Sequence, residues 1–176
     1  MAKIVLATIG SLGDMHPKIA LALELKKRGH AVTIAAMEFY RGRIEPLGLG
    51  FAPMAPHLDP ENRELGRDLM DARKGSQKIL REVIFPSLRP MLDDLMRAIE
   101  GADLLVTGEI VYAAKSTVEI SGINWVSTSL QPGTFFSSYD PFLPPNALWF
   151  DNLRFLGPTF HRGFFRFARW MIADWY

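Results

Sequence analysis

The stretch KIVLATIGSLGDMHP, residues Lys3–Pro17, decides the fold. Its first part, Lys3–Thr8, is a short apolar run with β-branched residues, which is typical of a buried strand. The glycines at positions 10 and 13 follow at once and predict a tight loop at the end of that strand. The chain therefore begins with a strand that enters a glycine-containing turn.

A helix is predicted from about Met15 to Arg28, and a second buried strand follows at Ala31–Ala36. Apolar residues recur at helical spacing in the first segment, and Gly29 stands where a left-handed residue ends a helix. Strand, helix and strand within about 34 residues make one βαβ unit, which is right-handed by rule.

The rest of the chain repeats this alternation. Three further strands are predicted at Gly50–Met54, Asp103–Thr107 and Ile123–Thr128. The helices between them are predicted at 78–85, 88–99 and 110–121, the first two separated by a break or a kink at Pro86 and Pro90. This pattern predicts an α/β fold, a Rossmann-like parallel sheet covered by helices on both faces.

The first strand is expected at the centre of the sheet, beside a topological switch point. Ligands of such sheets bind outside the carboxyl ends of the strands. The loops after the first, fourth and fifth strands are therefore the expected working edge of the domain.

Composition excludes several classes of function. Lys and Arg number 20 against 19 Asp and Glu, so the net charge of +1 gives no electrostatic basis for nucleic-acid binding. Without cysteine there is no disulfide or thiolate site, and the four scattered histidines predict no metal centre. No apolar run is long enough for a spanning helix, and the first residues do not form a signal peptide. A cytoplasmic location is therefore expected.

Aromatic residues are concentrated towards the end of the chain. Of the 20 aromatic residues, most lie between Phe135 and Tyr176, in segments predicted to be helical after residue 146. The sequence therefore divides into 1–145, the α/β domain, and 146–176, an aromatic helical tail whose apolar face is expected to meet a partner that is missing from this chain. Phe160, Phe164, Phe167 and Met171 recur at the spacing of one helix face.

That apolar face leaves three interpretations. The plainest is a helix that packs partly on its own domain and partly on the missing partner. Exposed aromatic surface also predicts self-association through residues after about Asn146. Arginines among the aromatics are compatible with peripheral contact to an anionic membrane.

The first turn, Gly10-Ser11-Leu12-Gly13, has G-x-x-G spacing and matches neither a G-x-G-x-x-G motif nor a P-loop. Asp14 follows directly, and a carboxylate there would repel a phosphate, which favours proton chemistry. The alternative is that Asp14 is the N-cap of the helix. His16 is a cap residue, a surface histidine or a substrate contact.

Five segments, taken in order, resemble one family. They are Gly10–Pro17 after the first strand, Leu25–Thr33, Pro46–Phe51, Ala102–Val106 and Glu119–Ile123. Together they resemble the N-terminal, acceptor-binding domain of glycosyltransferases with GT-B architecture, in the branch of sterol and antibiotic-aglycone glucosyltransferases. The resemblance runs from about residue 3 to 133 of this sequence.

The resemblance implies an enzyme of two Rossmann-like domains, of which this chain is the first. The second domain would hold most of a UDP- or dTDP-sugar, without a metal or a tightly bound cofactor, and the fragment would be inactive alone. Asp14 would be the base that takes the proton of the acceptor hydroxyl. Gly10, Ser11, Leu12 and Gly13 would face the donor.

An acceptor pocket for an apolar molecule is expected from His16, Glu109, Phe135, Phe136 and Phe142; the alternative is that these aromatic residues belong to the core. In relatives whose catalytic residue is a histidine, an aspartate after the fourth strand orients that histidine. The matching position in this sequence is Gly108, and Glu109 stands next to it.

Two alternatives remain open. One is a dinucleotide-binding module of the NAD(P) type, using Gly10, Gly13 and Glu38. The other is a non-catalytic interaction domain that acts through its aromatic tail.

Overall fold

The computed structural model describes residues 1–58, 75–131, 137–141 and 148–173. The chain forms two compact units, Met1–Leu130 and Gln131–Tyr176. Phe135, Phe136 and Phe142 of the expected acceptor pocket lie outside the described residues, as does most of the segment between the third strand and the following helix. The predicted boundary between the α/β domain and the aromatic tail, at residue 145, lies outside the described residues and stays a prediction.

The described part of the first unit contains five strands and five α-helical segments. The strands are β1 (Lys3–Ala7), β2 (Ala31–Ala36), β3 (Gly50–Pro53), β4 (Leu104–Thr107) and β5 (Asn124–Ser127). The helices are α1 (Leu12–Lys27), α2 (Arg41–Ile44), α3 (Gly75–Lys78), α4 (Phe85–Ala98) and α5 (Ala114–Ser121). Short 3-10 turns flank α2, and a π-helical turn, Ile79–Ile84, joins α3 to α4.

The five strands form one parallel sheet in the order β3-β2-β1-β4-β5. In β1, Leu6 pairs with Ile34 of β2 on one side and with Val106 of β4 on the other. The predicted α/β fold and the central position of β1 are confirmed. The strand order reverses between β1 and β4, so the switch point lies at the carboxyl end of β1.

The core is densest around β1 and β2. Leu6, Ile34 and Leu105 are fully enclosed, and Met91 and Leu95 of α4 pack into the same cluster. The outer strand β5 differs, because all four of its residues are exposed. The predicted fifth strand is confirmed, and within the described sheet it is an edge strand that pairs with β4.

Helix α1 begins at Leu12, three residues before the predicted start. Ser11 is its N-cap in an extended conformation, and the Ser11 hydroxyl accepts a hydrogen bond from the Gly13 N–H at 3.2 Å. Asp14 completes a capping box by accepting from the Ser11 N–H at 3.0 Å. The predicted end is confirmed, because Gly29 follows with φ +86°.

The predicted break at the prolines is absent, because the helical backbone continues from Ile79 through Pro86 and Pro90. The helix is irregular just before Pro86, where the π-helical turn Ile79–Ile84 passes into α4. Pro90 lies inside the helix without ending it. Helix α5 begins at Ala114, after a turned segment, rather than at Ile110, and ends at Gly122 as predicted.

The second unit contains a 3-10 segment, Leu148–Leu156, and helix α6, Gly157–Ala173. Among the side chains of α6 that the structure describes, His161 is enclosed, and its Nδ1 and Nε2 lie 2.8 Å and 3.3 Å from the Ser138 and Leu153 carbonyl oxygens. Phe150 packs against it and against Phe164.

The residues of the predicted apolar face of α6 differ in their exposure. Phe160 and Phe167 are exposed, whereas Phe164 is half-buried. The side of α6 that carries His161 is buried instead, because His161 contacts the two carbonyls and Phe150. No helix among the described residues combines the length and the apolar character that crossing a membrane requires.

Candidate functional site

The turn after β1 occupies the switch point of the sheet. Gly10 adopts φ +118°, a conformation that favours glycine. Its carbonyl accepts a hydrogen bond from the hydroxyl of Tyr40 at 2.9 Å, and Thr8 is held by its N–H bond to the Ala35 carbonyl at 3.0 Å. These bonds fix the turn against β2 and the segment that follows β2.

Asp14 folds back onto this turn. A Cβ placed on Gly10 would lie 2.3 Å from Asp14 Oδ2, so the carboxylate occupies the space that a side chain would need. Asp14 is half-buried, and its Oδ2 also lies 3.4 Å from the Ser11 hydroxyl, which donates to it. Asp14 is thus not the N-cap considered from the sequence but the third helical residue of a capping box.

The two carboxylate oxygens of Asp14 have different surroundings. Both contacts from Ser11 end on Oδ2. Within the described residues no hydrogen bond reaches Oδ1, so that oxygen is the one left for an incoming donor. Asp14 can therefore serve as a helix cap and as a proton acceptor at the same time.

We expect the Tyr40 hydroxyl to stabilise this turn measurably. Tyr40→Phe removes the bond to the half-buried Gly10 carbonyl and should lower the free energy of unfolding by about 1 kcal/mol. Urea unfolding followed by circular dichroism measures the change. Tyr112→Phe is the matched control, because Tyr112 is 51 % exposed. Equal stability of the two variants would contradict the assigned role of Tyr40.

Lys18 is a charged residue of this edge that the sequence did not single out. It lies one helical turn after Asp14 and is 2 % exposed. Its Nζ donates a hydrogen bond to the Thr128 hydroxyl, which in turn donates to the Thr107 carbonyl at 2.7 Å. Burial lowers the pKa of Lys18, and the carboxylates of Asp14 and Glu109 act in the opposite direction.

Glu109 lies in the turn directly after β4. Its Oε2 is enclosed and has no hydrogen-bond partner among the residues that the structure describes. The neighbouring Gly108 N–H donates to the Ala7 carbonyl at 2.9 Å, which brings this turn next to the end of β1. Because β1 and β4 are neighbouring parallel strands, Asp14 and Glu109, which follow them in the chain, lie at the same edge of the sheet.

Two further sequence candidates, His16 and Glu38, lie on the surface. His16 is exposed on the first turn of α1. Glu38 is paired with Arg41 at 2.5 Å, and this hydrogen bond lowers the pKa of Glu38. Glu38 thus forms a surface ion pair with Arg41, and this pair explains the acidic residue without the dinucleotide-binding alternative. The described residues include no group of three or more histidine and acidic side chains able to hold a metal ion.

A separate cavity lies at the opposite, amino end of the sheet. It has a volume of about 550 Å³ and includes Gly101, Asp103, Gly122 and Asn124 in its lining. Asp103 accepts a hydrogen bond from the Lys3 N–H at 2.7 Å, at the start of β1. This cavity contains none of the predicted site residues.

The fold and the edge together define a class of protein: an open parallel α/β domain whose first turn carries a carboxylate in place of a phosphate-binding motif. Residues 4–119 match the Glycosyltransferase family 28 N-terminal domain. The chain belongs to this family, and the resemblance found in the sequence is confirmed.

Relatives with known names agree with this assignment. The chain is 33 % identical over 154 residues to the UDP-sugar-dependent glycosyltransferase 52 of Dictyostelium discoideum, covering 81 % of this chain and 8 % of the relative. It is 31 % identical over 140 residues to a sterol 3-beta-glucosyltransferase of Leptosphaeria maculans, covering 77 % of this chain and 9 % of the relative.

Among solved structures, the glycosyltransferase SsfS6 of Streptomyces sp. SF2575, complexed with thymidine diphosphate, superposes with a TM-score of 0.56. That alignment has 23 % identity and covers 73 % of this chain and 38 % of the other, so it supports the fold. The chain also spans about a third of bacterial relatives such as the O-mycaminosyltylonolide 6-deoxyallosyltransferase of Streptomyces fradiae, at 32 %.

Proposed function

We propose that this chain is the acceptor-binding half of a glycosyltransferase that moves a sugar from a nucleotide-sugar to a hydroxyl of an apolar acceptor. The observation that carries the proposal is the Asp14 carboxylate at the switch point, with Oδ2 engaged by Ser11 and Oδ1 available. Family membership and the position of this turn at the carboxyl edge of β1 support it.

In this proposal the acceptor hydroxyl attacks the anomeric carbon of the donor. The new C–O bond forms as the bond between the anomeric carbon and the diphosphate oxygen breaks, and the nucleoside diphosphate leaves with that electron pair. Asp14 Oδ1 takes the hydroxyl proton as the new bond forms. Gly10, Ser11, Leu12 and Gly13 face the donor across the cleft.

The diphosphate is received by helix N-termini of the donor-binding domain, without a metal ion, and UDP- or dTDP-sugars are the proposed donors. Thymidine diphosphate in SsfS6 and the UDP-sugar dependence in the name of the Dictyostelium relative support this donor class. Glu109 is a further proposed residue of the acceptor pocket, because it follows β4 at the same edge of the sheet as Asp14.

An apolar acceptor is proposed for two reasons. A sterol is the acceptor in the name of the Leptosphaeria relative. The segment 135–149, which follows β5 in sequence, carries Phe, Tyr, Pro and Trp residues suited to an apolar pocket. His16, Phe135, Phe136 and Phe142 are its proposed lining residues, and the proposed compartment is the cytoplasm.

Joining this chain to the donor-binding half of a relative tests the proposal. The joined protein should transfer sugar from UDP- or dTDP-sugars to sterol or polyketide aglycones, followed by mass spectrometry. The 176-residue chain alone should show no transfer, because the donor-binding half supplies most of the nucleotide-sugar contacts. Transfer by the chain alone, or transfer confined to small hydrophilic sugars, would contradict the proposal.

Exposed aromatics on the second unit predict self-association. Phe155, Phe167 and Trp170 are more than half exposed. Association should bury this surface. Analytical ultracentrifugation should therefore show a dimer that dissociates in a chain ending at Pro145. A 176-residue chain that stays strictly monomeric at tens of micromolar would contradict self-association. If that monomer bound anionic vesicles, the result would instead favour peripheral membrane contact through Arg162 and Arg166.

A further inference from the structure

We propose that Tyr112 and Leu130 are specificity-determining residues of the acceptor site. Their side chains hold the apolar skeleton of an acceptor whose reacting hydroxyl stands at one end of that skeleton. This role rests on the proposed function, because the reacting hydroxyl is the one whose proton Asp14 takes. Neither residue stands out in the sequence, and both become apparent from their position and exposure in the fold.

Both residues lie at the carboxyl edge of the sheet. Tyr112 lies in the segment between β4 and α5, and Leu130 lies three residues after the end of β5. Because β4 pairs in parallel with β1 and with β5, the segments that follow these three strands leave the sheet at the same edge. The turn with Asp14 is one of these segments. An acceptor hydroxyl that reaches Asp14 therefore lies at the edge that carries Tyr112 and Leu130.

Both side chains leave apolar surface in water. Tyr112 is 51 % exposed, although its neighbours Val111 and Ala113 are buried, and Leu130 is 43 % exposed. Apolar surface contributes to folding when it is buried, so the fold gains little from the exposed parts of these side chains. One exposed apolar residue is ordinary. Two of them, on segments that follow neighbouring strands at the edge of the candidate base, supply the apolar lining that a small-molecule site needs.

The segment that carries Tyr112 is fixed by backbone hydrogen bonds. The Gly108 N–H donates to the Ala7 carbonyl, and the Ala114 N–H donates to the Val111 carbonyl, both at 2.9 Å. The first of these bonds ties the segment to the end of β1, and the second closes the turn that contains Tyr112. A binding residue on a fixed backbone loses little conformational entropy when the ligand arrives, so more of its contact energy contributes to affinity.

Leu130 follows a segment that is held to β4. The N–H and the hydroxyl of Thr128 both donate to the Thr107 carbonyl, at 2.9 Å and 2.7 Å. The indole N–H of Trp125 donates to the Thr107 hydroxyl at 3.0 Å. These bonds keep the end of β5 against the end of β4, so the segments of Tyr112 and Leu130 start from adjoining strand ends.

The chemistry of the two side chains defines the acceptor. Neither carries a charge, and both offer apolar contacts, whereas the Asp14 carboxylate receives a hydroxyl. A polar group midway along the acceptor would lose its water against the Tyr112 ring or the Leu130 side chain without gaining a hydrogen bond there, which is costly. The site should therefore prefer a rigid apolar molecule with one terminal hydroxyl over the same molecule with hydroxyls along its length.

Binding of a fluorescent sterol with a single hydroxyl to the 176-residue chain tests the assignment. Tyr112→Ala and Leu130→Ala should each raise the dissociation constant by about ten-fold, since each removes apolar contact area. Tyr112→Phe keeps the ring and should keep the affinity. Leu23→Ala and Ile120→Ala are the controls, because these residues are exposed but lie in the later turns of α1 and α5, towards the amino end of the sheet. An affinity that the two site variants leave unchanged, or no sterol binding, would overturn the assignment.

In the joined enzyme the same two variants should raise the acceptor KM by about ten-fold and leave kcat and the donor KM unchanged, because the contacts are equal in the ground state and the transition state. A sterol with further hydroxyls on its skeleton should be the poorer acceptor, and each variant should narrow that difference. A fall in kcat at an unchanged acceptor KM would overturn the assignment. Absence of transfer by the unsubstituted joined enzyme contradicts the proposed function and leaves the binding result standing.

Discussion

Replacing Asp14 by Asn should lower the rate of sugar transfer by about 10²- to 10⁴-fold in the enzyme assembled with a donor-binding half, the range typical of a general base. The asparagine oxygen can still accept the hydrogen bond from the Ser11 N–H, so α1 should begin where it does now. What the variant loses is the ability to take a proton. Single-turnover kinetics with saturating donor and acceptor measure the effect.

Ser11→Ala separates the capping role from the catalytic one. It removes the hydroxyl that accepts from the Gly13 N–H and should cost about 1 kcal/mol of stability, as loss of a serine N-cap does. The Asp14 carboxylate stays, and so should most of the transfer rate. An Asp14→Asn enzyme that turns over at the unsubstituted rate would show that Asp14 acts as a cap alone.

Gly10→Ala should produce the second large effect. A Cβ at this position would lie 2.3 Å from Asp14 Oδ2 and 2.9 Å from its carboxyl carbon, and φ +118° is unfavourable for alanine. The carboxylate must move or the turn must open. We expect a loss of about 1–3 kcal/mol in stability, measured by urea unfolding, together with a fall in transfer rate.

Gly42→Ala provides the matched control for this substitution. Gly42 lies in α2, no atom lies within 4 Å of the position that a Cβ would take there, and its φ is not in the left-handed region. Alanine there should leave stability unchanged or raise it by up to about 1 kcal/mol. If Gly10→Ala behaved like Gly42→Ala, the close approach of Asp14 to the turn would be contradicted.

Local patterns were sufficient to predict the alternation of strands and helices. The strand β1 is predicted by its short apolar run, and two helix ends are predicted by the left-handed glycines at 29 and 122. Each of these signals lies within a few consecutive residues. The predicted start of α1 is three residues too late, because Ser11, Gly13 and Asp14 form a reciprocal cap. This cap holds Leu12, Gly13 and Asp14 in a helical conformation, although their sequence is typical of a loop. The exposure of β5 depends on its place at the sheet edge, which the local sequence does not contain.

The candidate site was predicted less completely than the fold. Asp14 and Glu109 follow strands that end at the same edge, so their proximity could be expected from topology. Lys18 has the sequence context of a surface lysine, and its one signal is the spacing of four from Asp14 on a helix whose neighbouring residues are apolar. Its burial depends on Thr107 and Thr128, which lie far along the chain.

An acceptor that binds at the carboxyl edge of the sheet should perturb the residues of that edge. Titrating the 176-residue chain with a sterol or polyketide aglycone, with amide shifts followed by nuclear magnetic resonance, tests this most directly. We expect the shifts to concentrate at Gly10, Asp14, Glu109 and Thr128. Shifts confined to the amino-end cavity, around Gly101 and Gly122, would contradict binding at the carboxyl edge, as would binding that leaves both ends unchanged.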